Sequence, residues 1–424
     1  MVKNSSTKDL NFKYKDRVLI RKIKTSLFQP KIINNIKPKN IKFFTFRSGF
    51  KKKNKDLLIV VFERPVFVAT LYSKTSTPSA PIIWDKKNNN GLCKVLIVNS
   101  GNANAHTGKS GIKVIDEYVR ILCKVIRCPL NQVLVSSTGV IGEKLDAKKI
   151  INQIYKISST NNSFLLEAAK SIMTTDTFPK TIIKKIKYRS KVFKLYGFAK
   201  GSGMIAPNMG TMLSYIFIEA NLTKAQLKKL LNKHVETTFN SISVDGDTST
   251  SDTLMFFSLG ENKFTIKDDG ILFKKISSAL KDLMLNLAKQ IVCDGEGITK
   301  LIEIEVLKAR SFRQASLVAF SVANSLLVKT AIAGQDANWG RVIMAIGKSN
   351  AQINQSKIKL KFGKFIVAKN GEMASNINTK KLNIYMKNKV IRIKIDLGLG
   401  QFHRKVYSSD LTQEYVRINS DYRS

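Results

Sequence analysis

Histidine, cysteine and acidic side chains are scarce in this chain of 424 residues, and so are long apolar runs. The three histidines, His106, His234 and His403, stand far apart, so there is no compact H-x-x-x-H motif for a metal. Nothing in the sequence points to a Ser-His-Asp triad. The four cysteines, Cys93, Cys123, Cys128 and Cys293, show no C-x-x-C spacing. They read as buried or free thiols in a reducing compartment, which excludes a disulfide framework or a zinc site. The longest apolar run, Leu57 to Phe62, is strand-sized, against the ~18–20 residues needed to cross a bilayer. The stretch Met1 to Ser26 has no apolar core and does not read as a secretory signal. The expectation is a cytoplasmic protein with no membrane partner and no metal.

The shortage of acid is the other bulk feature. There are 30 Asp plus Glu against 72 Lys plus Arg, a formal charge of +42. Such an excess is the footprint of a polyanion binder. Three observations weigh against that reading. The hydrophobic fraction of 43% can build a proper core. Lysine is spread along the chain, including ordinary helix exteriors such as Lys228, Lys229 and Lys233. No RNP, KH-type GXXG or zinc-finger pattern occurs, so no nucleic-acid partner is expected. A composition rich in Lys, Ile and Asn accounts for the charge without a function attached.

Apolar periodicity gives a mixed α/β (α+β) class with helices on both sides of sheets. Lys55 to Phe67, Lys94 to Asn99 and Gln132 to Val135 read as buried strands. Ile302, Ile304 and Val306 alternate with Glu, and Ile391, Ile393 and Ile395 alternate with Arg and Lys, as in half-buried strands. Ile112, Ile115, Val119, Leu122 and Ile126 line one helix face; Leu272 to Val292 and Ser311 to Ile332 also read as helices.

Gly and small polar residues gather in Asn99 to Ala105, Ser136 to Gly142, Lys200 to Thr211, Val244 to Asp252 and Asp294 to Gly297. Each alone could be a turn; together they look like loops presented at a site. In the block ending at Thr211, Gly210-Thr211 directly precedes the apolar run Met212 to Ile218. A Thr hydroxyl is a weak nucleophile and needs a base. At a chain terminus its own α-amine, with a pKa of about 7.7–8, can serve. Creating that terminus requires attack of the hydroxyl on the preceding carbonyl, which the unhindered Gly210 favours. The plain alternative is a loop-to-strand junction that happens to contain Thr. Thr138-Gly139 offers a hydroxyl beside an unhindered N–H, a chemically sensible oxyanion hole, though Thr-Gly turns are common. The glycines fit neither the G-x-G-x-x-G nor the P-loop spacing, and Val244-Asp-Gly-Asp lacks the EF-hand order.

Taken in order, these blocks resemble one family from about Phe46 to Ser424: the ornithine acetyltransferases, or bifunctional ornithine acetyltransferase/N-acetylglutamate synthases, of arginine biosynthesis. Ile172 to Thr177, Asp336 to Arg341 and Val416 to Ser424 also match. The resemblance implies a layered sandwich of sheets and helices of the self-processing N-terminal-nucleophile-like type, with a smaller C-terminal α/β domain at about 300–410. It implies cleavage between Gly210 and Thr211, giving an N-terminal chain (41–210, after a basic extension at 1–40) and a C-terminal chain (211–424). Thr211 is then the nucleophile that carries acetyl from N2-acetylornithine to glutamate by a ping-pong route. Thr138 and Gly139 match the oxyanion hole, and Thr174, Lys200, Thr211, Glu296, Asn419 and Ser424 match the substrate-binding positions. The family uses no cofactor, takes acetyl-CoA as a second acetyl donor in its bifunctional members, and assembles as two chains of each kind. Gly210 stands where Ala is usual, Ala206 where His is common, and His106 where Cys is common. The enzymatic alternative is a related self-processing hydrolase or aminopeptidase that passes the acyl group to water.

Overall fold

The computed structural model describes residues 26–206, 212–260 and 266–421. Gly210, Thr211 and Ser424 therefore lie outside the described residues, as does most of the expected N-terminal extension. The described end of that extension is tied to the body: Ser26 Oγ donates to the Cys293 carbonyl at 2.5 Å, and Ser26 N–H to Thr177 Oγ1 at 2.9 Å.

The apolar runs pair into two sheets. The first is built from β1 (Ile41–Phe46), β2 (Leu57–Tyr72), β3 (Leu92–Asn102), β4 (Val133–Val140), β5 (Lys180–Tyr188), β6 (Lys191–Lys200) and β7 (Leu213–Ile218). The short β8 (Ile242–Ser243) leaves it for the second sheet, and β9 (Thr253–Ser258) returns. The spatial order is β4-β3-β2-β9-β7-β6-β5, with β1 also on β2. β2 is long enough to serve both halves: its start pairs with β1 and β3, and Val68 to Tyr72 pair with β9. At the centre β7 and β9 run parallel, Leu213 opposite Thr253. β6 and β7 are antiparallel, with Lys200 opposite Leu213. β3 and β4 are parallel, with Gly101 opposite Gly139.

These central strands are apolar on both faces because both are covered. One face packs on the helices Lys224–Val235 and Ile271–Val292, which contribute Leu227, Leu230, Leu231, Leu280, Leu283 and Leu287. The other carries an aromatic cluster in which Phe217 and Phe257 stack at 5.1 Å and Phe62 meets Phe257 at 5.0 Å. Such pairs add about 0.5–1.5 kcal/mol each beyond area burial.

The second sheet runs β13 (Glu372–Met373), β12 (Phe365–Lys369), β11 (Lys359–Phe362), β14 (Val390–Asp396), β10 (Leu301–Ala309), β15 (Phe402–Ser409) and β8. Ile302, Ile304, Ile391, Ile393 and Ile395 point into its core, as their alternation with charge requires. The stretch Ser311 to Ile332, expected as one helix, is two, Phe312–Ala323 and Leu326–Ala333, bent by 54°. Ser325 causes the break: its side chain caps a new helix by accepting the Val328 N–H. Among the described residues no single helix is long and apolar enough to cross a membrane; this bent pair meets the length and composition only jointly. Its apolar residues Val318, Val322, Val328 and Ile332 are spent on the second core.

Candidate active site

The cavity sits where β4, β6, β7 and β9 begin or end. Its volume is about 270 Å³, and its wall includes Thr138, Gly139, Thr174, Lys200, Met212, Asp252, Glu296 and Asn419. The sequence brings these together from remote positions through sheet order, so each side chain is set by a different element.

Thr138 and Gly139 lie within β4, not in a loop after it. Ser137, one step earlier, donates to Asn99 Oδ1 at 2.6 Å and fixes the strand to β3. Gly139 has φ +130°, and a Cβ there would lie 2.6 Å from both Asn102 N and Gly101 O. Only glycine fits, because β3 approaches so closely and because L side chains rarely take that φ. Gly139→Ala is accordingly expected to displace the Thr138-Gly139 edge and lower kcat about 100-fold, measured beside an unchanged circular dichroism spectrum.

Lys200 ends β6, and its Nζ donates to Thr138 Oγ1 at 3.2 Å. With its lone pair so engaged, the Thr138 hydroxyl keeps its own hydrogen free to donate elsewhere. Burial lowers the Lys200 ammonium below the ordinary lysine range, opposed by Asp176, Asp252 and Glu296. The cation is thus held at the cavity wall, half-buried, with carboxylates around it that favour its charge.

Beneath the cavity lies a buried ion cluster. Lys180 Nζ reaches Asp176 Oδ1 and Asp294 Oδ2, each at 2.6 Å, and all three side chains are enclosed. Asp176 also accepts the N–H of Thr174 at 2.9 Å and of Gly201 at 2.7 Å. Asp294 accepts the Thr177 N–H at 2.9 Å, and its carbonyl takes the Ser202 hydroxyl at 2.6 Å. The Thr174 segment and the Gly201-Ser202 turn are therefore pinned to one centre. On the far side, Asp245 accepts the N–H groups of Met204 and Ile205 at 2.6 and 2.8 Å. That is the job of the Val244-Asp-Gly-Asp segment: it anchors the loop that leads out of β6.

Glu296 is 6% exposed, and Gly203 makes room for it, since a Cβ there would sit 2.5 Å from its carboxylate. The last described helix does fold back. The helix Gln413–Ser420 brings Asn419, whose Nδ2 donates to Glu296 Oε2 at 2.7 Å. A cation and a carboxylate thus face one cavity from different walls, as a substrate bearing both charges requires.

Sequence reasoning assigned no role to Asp176, Lys180, Asp245, Asp252 or Asp294. A faint signal was present at two of them, Asp294 directly after Ile291-Val-Cys293 and Asp252 separated only by Thr253 from Leu254 to Phe257. Which charges would meet depended on strand order.

A hydroxyl-glycine edge next to a cation and a carboxylate, in a small cavity between sheet ends of a two-sheet α/β scaffold, is an arrangement suited to acyl transfer. The sequence pattern of the ArgJ family matches residues 42–424. The arginine biosynthesis bifunctional protein ArgJ of Bartonella henselae is 43% identical over 390 residues, 91% of this chain and 95% of that protein. Its namesake from Rhizobium meliloti is 42% identical over 399 residues, again 91% and 95%. Among solved structures, ArgJ from Bacillus halodurans is 38% identical with a TM-score of 0.46, covering 50% of this chain and 100% of its own. Ornithine acetyltransferase from Mycobacterium tuberculosis, solved with ornithine, is 27% identical with a TM-score of 0.38, covering 41% and 93%. The chain belongs to the ArgJ family, acyltransferases of arginine biosynthesis.

Proposed function

We propose that the enzyme moves acetyl from N2-acetylornithine to glutamate through an acetyl ester on Thr211, formed after cleavage at Gly210-Thr211. The observation that supports this most is the joint presence of Thr138, Gly139, Thr174, Lys200, Glu296 and Asn419 on one cavity whose wall also includes Met212, the residue bonded to Thr211. The Thr211 hydroxyl attacks the acetyl carbonyl and passes its proton to the α-amine. Thr138 and Gly139 donate to the oxyanion, and Lys200 keeps the Thr138 hydroxyl turned toward it. Lys200 meets the substrate α-carboxylate, and Glu296 with Asn419 meets the side-chain ammonium through charge-assisted hydrogen bonds. The C–N bond breaks, ornithine leaves with the proton, and the glutamate amine then takes the acetyl group. Ser424 completes the substrate contacts.

Acetyl-CoA serves as a second donor in this reading, in keeping with the word bifunctional in the relatives' names. The working unit is two N-terminal and two C-terminal chains in the cytoplasm, with no other cofactor. The test is ornithine release from acetylornithine with and without glutamate. Release should depend on glutamate and give parallel double-reciprocal lines. Release that ignores glutamate would overturn the transferase reading in favour of a hydrolase.

A further inference from the structure

Two of the four cysteines meet at the end of the helix Gly108–Ile126, away from every residue given a part in acetyl transfer. Arg127 caps that helix with φ 58°, in the left-handed region, and the chain turns back on itself. The Cys123 carbonyl accepts both the Arg127 N–H and, at 3.1 Å, the Cys128 N–H. This six-to-one closure brings the side chains of its first and sixth residues together, a contact ordinarily made by two apolar groups. Here both are thiols. They share a hydrogen bond, pack at the rim of the core beneath the helix and stay partly exposed.

A disulfide needs Cα atoms within about 7 Å, and two residues joined amide to carbonyl at 3.1 Å meet that reach. The two sulfurs also differ. The Cys128 S–H donates to Cys123 and Arg120 adds its charge, so the Cys123 thiol is held below the usual thiol range against partial burial. Cys128, the donor of that bond, is raised. A low-lying thiol beside a second one is the pairing of an attacking and a resolving cysteine. Cys93, by contrast, is fully buried and gives its S–H to the Val95 carbonyl at 3.3 Å. Among the described residues no third ligand completes a metal site. We propose that Cys123 and Cys128 form a redox-active dithiol that closes to an intramolecular disulfide on reaction with a hydroperoxide. The Cys123 sulfur attacks hydrogen peroxide: an S–O bond forms, the O–O bond breaks and one water leaves. Cys128 then attacks the Cys123 sulfur: the S–S bond forms, the S–O bond breaks and a second water leaves. The pair gives up two electrons and two protons, and the peroxide is reduced to the two waters. The bond staples the helix end to the segment that runs through the turn Leu130–Gln132 into β4, the strand of Thr138 and Gly139. The pair reacts this way whichever residue carries the acetyl group.

The test treats the purified, reduced wild-type enzyme with hydrogen peroxide, blocks the remaining thiols by alkylation and digests it with trypsin. Lys124 and Arg127 lie between the two cysteines, so the tryptic peptides 121–124 and 128–144 should stay joined and part on reduction. Two of the four thiols should be lost. Cys93 and Cys293 should react at least about 10-fold more slowly. In Cys128→Ser, oxidation should stop at a sulfenic acid on Cys123, which a 1,3-diketone traps. In Cys123→Ser, Cys128 should react roughly 10-fold more slowly than Cys123 does in the wild type. Survival of all four thiols would overturn the proposal. So would oxidation of Cys293 as fast as Cys123, or linked peptides found only between two molecules. The wild-type peptide map decides the outcome by itself where a variant fails to fold.

Discussion

Thr211→Ala should run on a denaturing gel as one band of 47.5 kDa, where the wild type should give two bands of nearly equal size. Acetyl transfer by the variant should fall by at least about 10⁴-fold, because removing a covalent nucleophile disables the whole catalytic unit. Both outcomes come from one hydroxyl: without it there is no acyl shift before residue 211 and no ester to carry acetyl. The strand register predicts that a wild type cut there stays whole under native conditions. Lys200 and Leu213 face each other across β6 and β7, so the chain between them is an excursion closed by paired strands. Cleavage inside it leaves β6 on one piece and β7 on the other, joined along the ladder, while β2 and β9 make a second seam. Native size measurement should therefore show no separation of the pieces. A single uncleaved wild-type band with full activity would refute the mechanism.

Several elements were legible before any coordinates. The alternation in Ile302-Glu-Ile-Glu-Val306 and in Ile391 to Ile395 identified β10 and β14, and the three-four spacing from Ile112 to Ile126 identified the helix Gly108–Ile126. Periodicity worked there because one face packs on a core and the other carries charge, exposed at Arg392 and Lys394 and ion-paired at Glu303. It failed at Ser311 to Ile332, where both halves are apolar and the break depends on one capping serine. The site was legible through small residues and resemblance, which named Thr138, Gly139, Thr174, Lys200, Glu296 and Asn419; all six line the cavity. The strand position of Thr138-Gly139 was not legible, since Ser-Ser-Thr-Gly has the composition of a turn and only the pairing with β3 extends it. Nor was the ion cluster. Asp294 lies 114 positions from Lys180, and no local pattern links a charge at the head of β5 to one past the end of the helix Ile271–Val292.

That cluster sets the largest stability effect. Lys180→Met should destabilise the protein by about 3–5 kcal/mol at neutral pH, because it leaves Asp176 and Asp294 buried without their cation. In the wild type, burial works against both carboxylates. For Asp176, Lys180 and Lys200 with the Gly201 N–H outweigh it and hold the carboxyl below the usual range; for Asp294, burial prevails and raises it. Removing Lys180 should push both upward. A carboxyl whose folded pKa is raised takes up its proton more readily folded than unfolded, so it favours folding as pH drops toward the unfolded value of about 3.9. The deficit of the variant should therefore be largest near pH 8 and shrink by pH 5, as read from urea unfolding at both. Asp294→Asn on top of Lys180→Met should recover part of the loss at pH 8 and little at pH 5. Equal deficits at the two pH values would mean the variant suffers from lost packing and not from stranded charge. Because Asp176 also holds Thr174 and Gly201, the same variant should raise KM for acetylornithine wherever it remains folded.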